Sequence, residues 1–155
     1  MKRKLRIYTD TSVIGGCFDV EFKLWSNKLI KEFKEGVHIP VISELIQAEI
    51  SLAPQEVRQM LLDLMKCQCQ VLAETEESIG LAHKYLTAAI LSRKFENDAR
   101  HIALATINNV NMVVSWNFKH IVHFDKIQKF NSVNIREGYK SIEIYSPMEV
   151  VNYGI

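Results

Sequence analysis

The chain is 155 residues long and 48% apolar, with 19 basic and 18 acidic side chains and a formal charge of +1. That is enough for a single domain over residues 1–155 with a buried core and no staples. Balanced charge excludes bulk attraction to nucleic acid, so such a partner would be held locally, and no run reaches the roughly 20 apolar residues that cross a bilayer.

The opening Met1-Lys2-Arg3-Lys4 is basic, but no apolar signal core follows it, so a cytoplasmic protein is expected. Residues 5–9 read as a first strand that stops at Asp10, with Gly15-Gly16 breaking the chain beyond it. Phe22, Trp25, Leu29 and Phe33 share one helical face, which Gly36 ends. Residues 37–42 form a second strand. Ser43 caps a helix through Ala53, and Pro54 opens the next, with Val57, Met60, Leu61, Leu64 and Met65 as its buried stripe.

Cys67 and Cys69, like Cys17, have no second pair or nearby histidine to complete a zinc tetrad, and read as reduced thiols. Residues 69–72 form a short strand. Thr75 caps a helix with Glu76 and Glu77 in its first turn and Ile79, Ala82, Leu86, Ala89 and Ile90 as its core face. A helix over residues 97–108 precedes a buried strand at 112–115. Residues 142–145 read as an edge strand, and Ser146-Pro147-Met148-Glu149 as a capping box with proline at the first helical position. Alternating strands and helices predict an α/β fold, a mainly parallel sheet covered on both faces.

In such a sheet, ligands bind beyond the carboxyl ends of the strands, where the crossover helices also begin. Asp10 ends the first strand, Asn117 follows the 112–115 strand, and Asp98 opens a helix, so all three belong to that edge. Glu49 lies six residues past Ser43, about 9 Å along a helix, and still points back toward it. Glu44, its rival, is explained by the dipole of its first turn. Clustered carboxylates need a cation, and hard oxygen ligands suit magnesium or manganese.

The stretches Tyr8-Thr9-Asp10-Thr11-Ser12-Val13-Ile14, Ser43 with Glu49, Asn97-Asp98-Ala99, and Val113-Val114-Ser115-Trp116-Asn117-Phe118-Lys119-His120-Ile121 resemble, in order and spacing, the PIN-domain family. That family includes the prokaryotic toxins of VapBC-type pairs. The resemblance implies a three-layer α/β fold and a Mg- or Mn-dependent ribonuclease, with RNA as substrate. It also implies homodimers and an antitoxin partner. Asp10, Glu49 and Asp98 match the family's acidic positions. The fourth acid is replaced by Asn117, whose amide can ligate or hydrogen-bond but brings no charge.

Around this set, Ser12 and Ser115 read either as groups that orient carboxylates or as turn and strand-end hydroxyls, and Lys119 and His120 either as a phosphate contact or, for Lys119, as an ordinary exposed lysine. Trp116 reads as a core or interface aromatic rather than a base-stacking one, and Asp125 has no local pattern that would let it stand in for the missing acid. His83, His101 and His123 lack ligand-like spacing and read as structural or solvent-facing. An aspartyl-nucleophile phosphatase would need an acid two residues after Asp10, where Ser12 stands. The remaining alternative is a PIN-like domain, weak or inactive in catalysis, that binds RNA or protein.

Overall fold

The computed structural model describes residues 3–152, so Met1 and Lys2 of the basic opening lie outside the described residues. Five strands form one sheet: β1 (Arg6–Thr9), β2 (Ile39–Ser43), β3 (Gln70–Leu72), β4 (Met112–Val114) and β5 (Glu143–Tyr145). Every pairing is parallel and the strand order is β3-β2-β1-β4-β5. The helices are α1 (Thr11–Gly16), α2 (Lys23–Lys34), α3 (Glu44–Ile50), α4 (Gln55–Met65), α5 (Glu76–Thr87), α6 (Glu96–Ile107), α7 (Phe124–Arg136) and α8 (Pro147–Asn152). This is the expected α/β architecture, with the sheet wholly rather than mainly parallel.

The chain winds outward from β1 to β3, then returns to the other side of β1 for β4 and β5. That order places a topological switch point between β1 and β4, where the crevice of a doubly wound sheet opens. The three central strands are buried on both faces, so their short runs (Ile7, Tyr8; Val41, Ile42; Val113, Val114) read as continuous apolar stretches without alternation. β5 lies at the sheet edge, as expected.

Several elements begin where local chemistry places them. The Ser43 hydroxyl accepts from the Ile46 amide at 3.2 Å and starts α3. Thr75 and Ser78 form a reciprocal capping box at the start of α5. Gly36, at φ +76, follows α2 in the left-handed region that favours glycine.

Two readings need correction, and one helix was not foreseen. Gly15 and Gly16 do not break the chain; they are the last residues of α1. Gly16 is required by a close approach, because a Cβ there would lie 2.7 Å from Ser26 Oγ and 2.8 Å from Trp116 Nε1. Those two atoms are hydrogen-bonded to each other and cannot both retreat. Gly16→Ala is therefore expected to cost roughly 1–3 kcal/mol by overpacking; an unchanged urea midpoint would contradict this.

The core face of α5 is Leu81, Ala82 and Tyr85; Ile79 is exposed, and Ala89 lies past the helix end with φ 58. Tyr85 is the residue that sets this face, packing edge-on against Phe130 at 4.9 Å between centroids. Phe130 belongs to α7, a helix of 13 residues that the sequence pattern did not single out. Its buried side is Phe130, Val133 and Asn134, with Ile127 partly buried beside them.

Candidate active site at the carboxyl edge of the sheet

Asp10 caps β1 at the switch point. Its amide donates to the Val114 carbonyl at 3.3 Å, extending the β1–β4 ladder by one step. The side chain turns into the protein, where two hydroxyls hold it. Ser12 donates to Oδ1 and Ser115 to Oδ2, each at 2.6 Å. The same hydroxyls accept from the loop after β4: Trp116 N–H reaches Ser12 Oγ and Asn117 N–H reaches Ser115 Oγ, both at 2.9 Å. One pair of serines thus fixes the carboxylate and the loop that carries Asn117. Burial pushes the Asp10 carboxyl above its ordinary value, outweighing the charge of His101 and the two serine hydroxyls.

Glu49 comes from α3. Thr11 Oγ1 donates to its Oε1 at 2.6 Å, and His101 Nε2 lies 2.7 Å from the same oxygen. Burial would raise this carboxyl, but the His101 hydrogen bond and charge, with Thr11 and Asn97, hold it below the usual range. Glu44 is exposed, so Glu49 is the glutamate of α3 that enters the cleft.

Asp98 lies in the first turn of α6. Its Oδ2 takes the Asn117 amide at 3.3 Å and faces His120 Nδ1 at 3.1 Å. Burial raises the Asp98 carboxyl against His101 and His120, and the charge of Glu49 adds to the rise. Asn117 is held from its other end, its Oδ1 accepting from the His120 amide at 2.9 Å. The amide is therefore oriented with its NH2 toward Asp98, the role a neutral residue can fill beside a carboxylate.

The three acids and Asn117 thus meet through shared partners from β1, α1, α3, α6 and the loop after β4. Among the described residues, no group of three or more acidic, histidine or cysteine side chains is drawn together tightly enough to hold one ion. The donor set still fits a hard divalent cation in kind: carboxylate oxygens, two of them on acids that burial disfavours as anions. Closing around an ion would require the side chains to move and the protein donors to Glu49 and Asp98 to yield part of their hold.

Of the two readings for His101, structural or solvent-facing, the structure takes the first and adds to it: the ring is buried and touches Glu49 directly. It stands three residues after Asp98 on α6, hence on the same helical face, and that spacing was the signal available in the sequence. His120 is committed through Nδ1 to Asp98, and its ring lies 3.9 Å from that of Phe95. Lys119 is exposed beside them.

Trp116 is 7% exposed, stacked on Phe22 at 4.3 Å, and so belongs to the core; the exposed aromatic beside the site is Phe118, at 48%. Asp125 is exposed in the first turn of α7, and His83 and His123 are exposed as well.

No family model matches the sequence, and no curated protein matches it. Solved structures do match. VapBC2 from Rickettsia felis, bound to a DNA fragment from its promoter, aligns over 92% of this chain and 98% of its own, at 12% identity and TM-score 0.59. A toxin–antitoxin complex from Klebsiella pneumoniae aligns over 74% of this chain and 88% of its own, at 13% identity and TM-score 0.54. At such identities the likeness shows the fold, and that fold is the PIN-like one the sequence motifs implied.

Proposed function

We propose that this chain is a magnesium- or manganese-dependent endoribonuclease, the toxin of a toxin–antitoxin pair. The observation that carries the reading is the meeting of Asp10, Glu49 and Asp98 at the β1–β4 switch point, each brought there by a different element. The two structural neighbours, VapBC2 and a toxin–antitoxin complex, support an antitoxin partner for a chain of this fold. A homodimer follows from the family resemblance alone. No helix among the described residues is long and apolar enough to cross a membrane.

Asp10, Glu49 and Asp98 would hold the ion. When bound, it supplies charge that makes a water nucleophilic and neutralises the phosphodiester. The chain's own groups do the rest. Ser12 and Ser115 hold Asp10 by both oxygens, so its position survives the loss or gain of a ligand. Asn117 and His120 steer Asp98. Lys119, exposed on the same loop, is placed to meet a backbone phosphate of RNA.

A second reading has its own observation. Asn117 donates to Asp98 where a fourth acid would add charge, and the acids are satisfied by protein donors. A domain so arranged can bind RNA or a protein partner without cutting. The test is cleavage of a mixed set of RNAs with Mg2+ or Mn2+, with EDTA as the metal-free control. Slow, metal-dependent internal cutting is expected, better with Mn2+. No cleavage with either ion, in wild type and in Asn117→Asp, would favour the binding-only reading.

A further inference from the structure

Glu49 sits near the end of a seven-residue helix on a side chain with several free rotations, so its position depends on what holds its carboxylate. Its anchor is a buried chain of polar groups. Ser43 Oγ, at the end of β2, lies 2.8 Å from the Tyr8 hydroxyl, in the middle of β1. That hydroxyl lies 2.7 Å from His101 Nδ1 on α6, and His101 Nε2 lies 2.7 Å from Glu49 Oε1. Ser43, Tyr8 and His101 are all almost fully buried.

Buried polar groups are costly unless every one is satisfied. Here they are: with Nδ1 as acceptor, Ser43 donates to Tyr8, Tyr8 donates to His101, and Nε2–H donates to Glu49. Apolar side chains would fill the same space without this demand; beyond the Ser43 cap on the Ile46 amide, the chain ends at the Glu49 carboxylate, and that contact distinguishes it from packing. Thr11 adds a second donor to the same oxygen.

We propose that His101 is a positioning residue for Glu49, and that the buried Ser43–Tyr8–His101 chain, by fixing Oε1, sets the affinity of the site for a divalent cation. This rests on the metal-dependent reading above. The anchor stands on rigid elements, two sheet strands and a helix, so it can hold Glu49 in place before any ion arrives.

The experiment titrates Mn2+ into metal-free protein and follows the free ion by electron paramagnetic resonance. His101→Leu is expected to weaken binding by about tenfold or more, the usual scale for losing a group that orients a ligand. His101→Gln, whose amide can donate in place of Nε2, should recover most of the loss. Tyr8→Phe should weaken binding by a few-fold, about the effect of one net hydrogen bond. In cleavage assays, His101→Leu should raise the Mn2+ concentration giving half-maximal rate while the rate at saturating Mn2+ stays within about threefold.

A wild type that binds no Mn2+ overturns the metal reading and this inference with it. A wild type that binds, with His101→Leu and Tyr8→Phe binding as tightly, overturns the positioning role and leaves the metal reading standing. A loss in His101→Leu with no recovery in His101→Gln assigns the effect to packing and also overturns it. If His101→Leu does not fold, Tyr8→Phe decides alone: affinity equal to wild type overturns the role, and weakened affinity supports it.

Discussion

Asp10→Asn is expected to abolish RNA cleavage and, in metal-free protein at neutral pH, to raise the melting temperature. The loss follows from charge. Removing a carboxylate from a site with three acids takes away several kcal/mol of cation-mediated stabilisation, and each ~1.4 kcal/mol is a factor of ten, so a drop of at least ~100-fold is expected. Asp98→Asn should do the same. The gain in stability follows from burial. Asp10 is 4% exposed and its carboxyl is pushed above the ordinary aspartate value of 3.8 by desolvation.

The folded protein therefore binds a proton at Asp10 more readily than the unfolded chain does. Stability falls as pH rises from the ordinary value through the raised one, and the ionised form at neutral pH is a net cost. Asparagine removes that cost, because one serine hydroxyl can keep donating to its Oδ1 while the other turns to accept from its NH2. Melting curves in EDTA should show the variant above wild type near pH 7, with the gap closing toward roughly pH 4. Asp98 contributes in the same direction and Glu49 in the opposite one, so the difference between wild type and Asp10→Asn, rather than the wild-type curve alone, isolates the effect. A variant that melts below wild type at pH 7 would contradict the assignment.

The second large effect is at Asn117. Its NH2 lies 3.3 Å from Asp98 Oδ2, so Asn117→Asp sets two carboxyl groups face to face in place of a donor and an acceptor. Without metal the pair repels and takes up a proton, and the protein should melt lower than wild type. With metal the added charge should tighten Mn2+ binding by about tenfold, or ~1.4 kcal/mol, and raise the cleavage rate. The opposite signs of the two effects are the diagnostic. A variant destabilised in EDTA but no tighter for Mn2+ would place Asn117 outside the ion's reach.

Much of the arrangement was legible because it depends on features local in sequence. Asp10 at a strand end, Ser43 as a cap and Asp98 in a first helical turn need only short windows, and the parallel fold then brings their edges together. Choosing Glu49 over Glu44 drew on the helix dipole together with the spacing of the family the chain resembles, and the structure turns Glu49 inward. What was missed depends on partners far away in the chain. His101 acquires its role from Tyr8, 93 positions earlier, and from Glu49. Gly16 looks like a breaker until Trp116 and Ser26 are seen against it. Trp116 is core, as its sequence reading had it, because Phe22 covers it; the exposed Phe118 beside it was not singled out, and no periodicity within the loop after β4 marks it.

The central claim, that Asp10, Glu49 and Asp98 share one divalent cation, is tested most directly by crystals soaked in Mn2+ and measured at the manganese edge. The account predicts one anomalous peak at the β1–β4 switch point, about 2.0–2.3 Å from carboxylate oxygens of Asp10 and Asp98, with Glu49 ligating directly or through one water. A map with no peak there at saturating Mn2+, or with its peak on other residues, would contradict it.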